Sequence, residues 1–246
     1  MDLNNYSIAY YLGHKALEGL YKAHRIYSVP VSTALRENGI SVISIDFKGK
    51  HDILLESEYK YVVDISEESV DPVNAFHFAG YLRDLRRREA EHCIDASIYF
   101  QAMMEAEIND VLGKRAYGSF KDKWEKFLSD HNASNEVRSY FDKYHDVVYK
   151  KIRIPSVHAK NIKGLTNIGA LRFSVVHEGL KCGWYCFVFL LNVVHKSNMD
   201  YSDNWRVMSE EAHGIPAVID SDEYPDYGEI INRLYQYHLD HFNSIS

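Results

Sequence analysis

The sequence predicts a mainly α-helical protein, a helical bundle with a small N-terminal α+β elaboration that contains a short antiparallel sheet. Three observations lead to this fold class. Apolar residues recur at three- and four-residue spacing through most of the chain after residue 72, which is the period of amphipathic helices. Between residues 40 and 65, β-branched residues partly alternate with polar ones, which favours strands. Of the 246 residues, 46% are hydrophobic and 26% are charged, so the composition is that of a folded globular protein and excludes wholesale disorder.

Residues 1–72 form the predicted α+β region. Apolar side chains at Ile8, Leu12, Ala16 and Leu20 have helical spacing and predict a helix over residues 6–27. Three short β-branched runs follow and predict the strands of the antiparallel sheet: residues 40–47, 52–55 and 59–65.

Residues 73–246 form the predicted helical domain, which either stands apart from the first region or continues it as one domain. Segment 180–196 is apolar nearly all round, as expected for a central buried helix, although its valines and phenylalanines leave a strand as an alternative. Glu178-Gly179 is expected to separate this helix from the one before it. An acidic loop is expected at 210–229, with a short strand at 215–219. The predicted helices cover residues 73–112, 119–129, 134–151, 161–177, 180–196 and 228–242.

Cysteine content and hydropathy favour a cytoplasmic protein without a membrane span. Three cysteines, Cys93, Cys182 and Cys186, are too few for a disulfide framework. The first residues lack the basic and apolar segments of a secretory signal. The most apolar segment, residues 184–194, has 11 residues, whereas a membrane-spanning helix needs about 20.

Charge is distributed unevenly along the chain. The formal net charge is −7, yet residues 138–181 carry 9 basic side chains against 3 acidic ones. Residues 201–246 carry 2 basic and 9 acidic side chains. The basic stretch is typical of a surface for an anionic partner such as RNA, and an ordinary solvated surface is the alternative interpretation.

One segment carries a motif with chemical meaning, Gly-Leu-Thr-Asn-Ile-Gly-Ala-Leu-Arg-Phe-Ser-Val-Val-His-Glu-Gly over residues 164–179. A Leu-x-x-Ile-x-x-Leu-Arg run ends at Arg172, His177 follows five positions later, and Gly179 leads into the apolar helix. This arrangement resembles the R-x(4–6)-H signature of the HEPN superfamily, the all-helical domains named for higher eukaryotes and prokaryotes nucleotide binding. The resemblance extends over about residues 90–196.

The resemblance implies a metal-independent endoribonuclease, of a toxin or phage-defence type, that acts as a homodimer with two motifs facing one cleft. Arg172 would hold the scissile phosphate, because a guanidinium binds phosphate bidentately. His177 would do the acid–base work, because imidazole titrates near neutral pH. Glu105 and Ser174 are expected to support the site, and neither a metal nor another cofactor is expected. The side chains expected to hold the RNA backbone are Lys150, Lys151, Arg153, Lys160 and Lys163.

Two other classes of protein fit the sequence. Phe173 stands where the family often has a polar Asn, which favours a catalytically inactive binding or interaction protein on the same scaffold. Its acidic C-terminal segment would then engage a basic protein partner or cover the basic face of its own chain. A helical enzyme with a Tyr-rich small-molecule pocket is the third class. His177, Cys182 and Cys186 are conceivable metal ligands by spacing, but a closed zinc site needs four ligands and this helix is strongly apolar.

Overall fold

The computed structural model describes residues 8–27, 72–115, 117–153, 171–219 and 227–245. These residues are mainly helical, which confirms the mainly α part of the prediction, and no strand occurs among them. The predicted strands at 40–47, 52–55 and 59–65 lie outside the described residues. Seven α-helices are described: α1 Ile8–Tyr27, α2 Pro72–Leu112, α3 Phe120–Asp130, α4 Asn135–Tyr144, α5 Phe173–His195, α6 Tyr201–Arg206 and α7 Tyr227–Ile245.

Three short irregular helices extend this set. A 3₁₀ turn, Gly113–Arg115, follows α2 directly. The chain continues from α4 as a π-helix, His145–Arg153, and from α6 as a second π-helix, Val207–Glu211. The predicted helix over 134–151 is therefore present, but its second half is wound more widely than an α-helix.

Two compact units are formed by the chain. Unit 1 comprises Met1–His24 and Ala90–Ile219, and unit 2 comprises Arg25–Glu89 and Asp220–Ser246. Both units contain residues from before and after position 72, where the sequence suggested a domain boundary.

Helix α5 forms the centre of unit 1. It packs against α4, the π-helix after α4, and α6. Gly183 permits the closest approach, because a Cβ there would lie 2.6 Å from Phe100 and 2.7 Å from Tyr144. The Tyr144 hydroxyl donates to the buried Gln101 amide oxygen at 2.6 Å, so the one polar group of this ring is satisfied.

Side-chain caps begin three of the helices. Ser119 and Asp122 form a reciprocal capping box at the start of α3, and Ser134 caps α4. Asp200 accepts a hydrogen bond from the Asp203 N–H at 2.8 Å and so begins α6. The sequence prediction missed α6, although an Asp three residues before another Asp is a signal of a helix start.

Three predictions about residues 161–219 were wrong. The chain does not break at Glu178-Gly179, because α5 runs through both residues, and Gly179 instead lets Val147 and Val148 approach the helix. The strand alternative for 180–196 fails because that segment lies within α5 apart from its last residue. The short strand at 215–219 is an irregular segment held by ring N–H groups, described below.

In unit 2, the described residues are the last three of α1, the first eighteen of α2, and α7. Phe76 of α2 packs against Tyr235 and His238 of α7, with ring centroids 5.6 and 4.8 Å apart. Among the described ranges, no helix is both long enough and apolar enough to cross a membrane.

Candidate functional site around Arg172 and His177

Arg172 occupies the N-cap position of α5. Its backbone is extended (φ −67°, ψ 143°), and its carbonyl accepts the first helical hydrogen bond from Val176 at 3.1 Å. The side chain is half-buried and makes no capping hydrogen bond. The sequence predicted Arg172 inside a helix over 161–177, and this was wrong at residue 172, because the helix begins only at Phe173.

Phe173 is a core residue. Its side chain is fully buried and contacts two histidine rings, His24 at 5.0 Å and His177 at 5.5 Å between centroids. Phe173, the residue that departs from the HEPN pattern, therefore packs against the ring of the motif histidine.

His177 is fully buried, one turn into α5. Its Nε2 lies 2.9 Å from the Pro216 carbonyl oxygen, which only accepts, so Nε2 carries the proton and donates. Trp205 closes a further side, edge-on to the imidazole at 5.3 Å. The opposite nitrogen, Nδ1, is buried and has no hydrogen-bond partner among the described residues.

The electrostatic surroundings keep His177 neutral. Burial lowers its pKa to about 4, and the positive charge of Lys181 acts in the same direction. The Pro216 carbonyl and Glu178 act the other way but do not offset burial. A neutral imidazole whose one N–H is committed to a backbone carbonyl is not a proton donor at neutral pH, and in this conformation the ring is closed off from solvent.

The expected supporting residues, Ser174 and Glu105, make no hydrogen bond to the imidazole of His177 in the described part of the chain. Ser174 and Glu105 are both half-buried, the first in the opening turn of α5 and the second on α2. The hydrogen bond of His177 goes to Pro216, and no hydrogen bond of His177 to Arg172, Glu105 or Ser174 occurs among the described residues.

Most of the described basic side chains between 138 and 181 have partners within the chain. Lys150 donates to Asp146 at 2.6 Å, and Arg138 donates to the Leu128 and Ala133 carbonyls at the end of α3. Lys151 is exposed, and Arg153 is the last residue of the π-helix. Lys160 and Lys163 lie outside the described residues.

Glu178 lies between two of these cations. Lys143 approaches one carboxylate oxygen at 2.9 Å, and Lys181 approaches the other at 2.6 Å. Partial burial raises the pKa of Glu178, but the hydrogen bonds from the two lysines outweigh it and the net shift is downward. Glu178 therefore offsets part of the positive charge of these two lysines.

The two cysteines of α5 are core residues. Cys182 and Cys186 are buried, and burial raises the pKa of both thiols. Within the described part of the chain, no group of three His, Cys, Asp or Glu side chains is arranged to hold a metal ion.

Sequence reasoning missed the residues that cover His177. Pro216 is 39 positions away in the chain, and Trp205 lies on the unpredicted α6. A second histidine contact, between His14 and His213, was also missed. Only an apolar Ile-Pro-Ala run after Gly214 hinted that this segment is not an ordinary solvated loop.

Comparison with known proteins gives no relative for this chain: no family model, no curated protein and no solved structure matches it.

Proposed function

We propose that this protein is a non-catalytic interaction protein built on a helical scaffold. The observation that carries the proposal is the burial of His177 with its N–H committed to the Pro216 carbonyl. The ring is packed between Phe173 and Trp205, as a structural residue of a helix junction would be.

The partner in this proposal is a protein and not RNA. RNA binding depends on cations that are available to phosphates. Here Lys143 and Lys181 share Glu178, Lys150 pairs with Asp146, and Arg138 binds backbone carbonyls. Exposed ion pairs are individually weak, but each carboxylate cancels part of the positive potential that RNA would need.

The contact surface in this proposal is the outer face of α1, defined as Ile8, Tyr10, Tyr11, Lys15 and Glu18. Ile8 and Tyr11 are 69% and 56% exposed, and Tyr10 is also exposed. Tyrosine is enriched among the residues that dominate protein–protein binding, because its ring is large and its hydroxyl is polar.

A second copy of this chain is the occupant that this face fits. Glu18 accepts from Lys15 at 2.7 Å and from Lys22 at 2.9 Å, so a carboxylate lies between two ammonium groups. In a two-fold, antiparallel pair of α1 helices, each Glu18 faces a lysine of the other copy. The exchange of partners costs little, because all three side chains are exposed.

The catalytic half of the proposal is tested by RNA cleavage in EDTA. We compare the wild type with His177→Gln, whose amide nitrogen takes the place of Nε2 and keeps a donor to Pro216, but which does no acid–base chemistry. We expect both proteins to match the buffer control. Cleavage by the wild type that disappears in a folded His177→Gln would show a catalytic histidine and end the proposal.

The metal-independent HEPN-like endoribonuclease is the second candidate. Two observations favour it: the half-buried Arg172 directly precedes the helix that carries His177, and two lysines lie beside Glu178, the residue after His177. In this candidate, residues 214–219 must leave His177 before RNA binds. The EDTA experiment separates the two candidates.

A further inference from the structure

Six residues after the second π-helix, Gly214–Ile219, lie across His177 and Trp205; we call them the strap. Gly214 starts it in a left-handed conformation (φ +67°), which glycine adopts without strain. The Ile215 side chain is fully buried. Two consecutive carbonyls then accept from buried rings, that of Pro216 from His177 at 2.9 Å and that of Ala217 from Trp205 at 3.1 Å.

A histidine pair holds the start of the strap. His213 Nδ1 lies 2.7 Å from the Met208 carbonyl oxygen, so Nδ1 carries the proton and Nε2 bears a lone pair. That lone pair accepts from His14 Nδ1 at 3.1 Å. His14 Nε2 is then left without a proton, and it is buried with no partner among the described residues.

The two contacts that hold the strap, His177 with Pro216 and His14 with His213, therefore need neutral imidazoles. His177 donates through Nε2 and keeps a bare Nδ1, while His14 donates through Nδ1 and keeps a bare Nε2. A further proton on either ring would be a buried N–H with no acceptor among the described residues, which costs free energy. A proton on His213 Nε2 would instead face the N–H of His14.

The charged and titratable groups around these rings do not remove that cost. His24 and Lys181 disfavour a charge on His177, and Glu178 is already shared between two lysines. Within the described part of the chain, the titratable side chains that contact His14 are His213 and the edge-on Tyr10. On the element of His213 itself, Glu210 is exposed and Glu211 is paired with Arg206.

We propose that the strap is an acid-released latch, closed while His14 and His177 are neutral and opened when they are protonated. Opening breaks the contacts of Pro216 and Ala217, exposes Ile215, and brings the buried ring of His177 to solvent. The proposal holds whether or not the protein cleaves RNA.

Amide hydrogen exchange of the strap tests this proposal. In the closed strap the Gly214 N–H donates to the Glu210 carbonyl at 3.0 Å and the Ile215 N–H donates to the Ser209 carbonyl at 2.8 Å. We expect their protection factors, corrected for the intrinsic rate, to fall about tenfold between about pH 7.5 and about pH 5. Amides in the middle of α5 serve as the internal reference and keep their protection.

The matched variant is the double substitution His14→Asn with His177→Gln. The Asn amide nitrogen replaces Nδ1, the Gln amide nitrogen replaces Nε2, and neither side chain takes up a proton in this pH range. Its strap is expected to stay protected at the lower pH.

Two results overturn the latch: equal acid-induced loss of protection in wild type and double variant, or unchanged protection in the wild type while α5 stays folded. The second result needs only the wild type, so the test survives a variant that does not fold.

Discussion

At the scale of single residues, His177 links sequence, burial and proton chemistry. The sequence places it on an apolar helix, and the structure surrounds it with Phe173, Trp205 and Pro216. Its neutral state is a consequence of that burial, since a charged imidazole loses its hydration there.

Acid should therefore destabilise the wild type through this residue. The pKa of His177 is about 4 in the folded chain, against an ordinary value of 6.5. Below about pH 6.5 the unfolded chain takes up a proton that the folded chain does not, so stability falls until about pH 4. The full loss is on the order of 3 kcal/mol.

Urea unfolding at several pH values measures this effect. We expect His177→Gln to have a flatter dependence on pH than the wild type, because glutamine does not titrate. Identical slopes in the two proteins would mean that His177 is solvated in the folded chain, contrary to the burial described.

The site was only partly predictable at this scale. The pattern around Arg172 and His177 was visible because it lies within sixteen consecutive residues. The burial of His177 was not predictable, because it depends on a hydrogen bond to Pro216, 39 positions away, and on Trp205 of another helix.

At the scale of elements, two glycines of α5 determine how closely its neighbours approach. Gly179 lies against the π-helix after α4, and Gly183 lies against rings of α2 and α4. The prediction treated Gly179 as a helix stop, because glycine often ends helices. Tertiary packing decided otherwise, since both positions have no space for a Cβ.

Gly183→Ala is expected to lower stability despite the higher helix propensity of alanine. The new Cβ would lie 2.6 Å from Phe100 and 2.7 Å from Tyr144, and both rings are fully buried, so neither moves easily. Overpacking of this kind costs about 1–3 kcal/mol.

Gly80→Ala is the matched control for that substitution. It lies in the interior of α2, and a Cβ there meets no atom of the described residues within 4 Å. It should stabilise the protein by about 0.5–1 kcal/mol, because only the backbone preference changes. Thermal melting of both variants measures the contrast, and a stabilised Gly183→Ala would contradict the packing described for α5.

Helix positions were predictable because each amphipathic pattern is local. Residues 73–112 and 119–129 match α2 and α3 to within one residue at each end. The missed α6 has only six residues, so although Tyr201 precedes its buried Trp205 by four positions, the segment is too short to establish a helical period from sequence.

At the scale of the whole molecule, charge and exposed aromatic area point to different partners. The basic stretch predicted from sequence loses much of its available charge once Glu178, Asp146 and the α3 carbonyls are in place. The outer face of α1 keeps its exposed rings among the described residues. Sequence counts charges correctly, but it does not show which of them are paired in space.

Self-association through the outer face of α1 follows from the contrast between these paired charges and the exposed rings. We expect sedimentation velocity to give a species of about twice the 28.6 kDa of one chain. Tyr11→Asp should weaken the dimer at least about tenfold, because it replaces an exposed aromatic ring of the contact by a charge. Tyr117→Asp is the matched control, since Tyr117 is 82% exposed but lies outside this face.

A wild type that stays monomeric at about 50 μM would show that the α1 face does not form the proposed contact. Equal weakening by both substitutions would instead place the contact elsewhere, because only one of them changes α1.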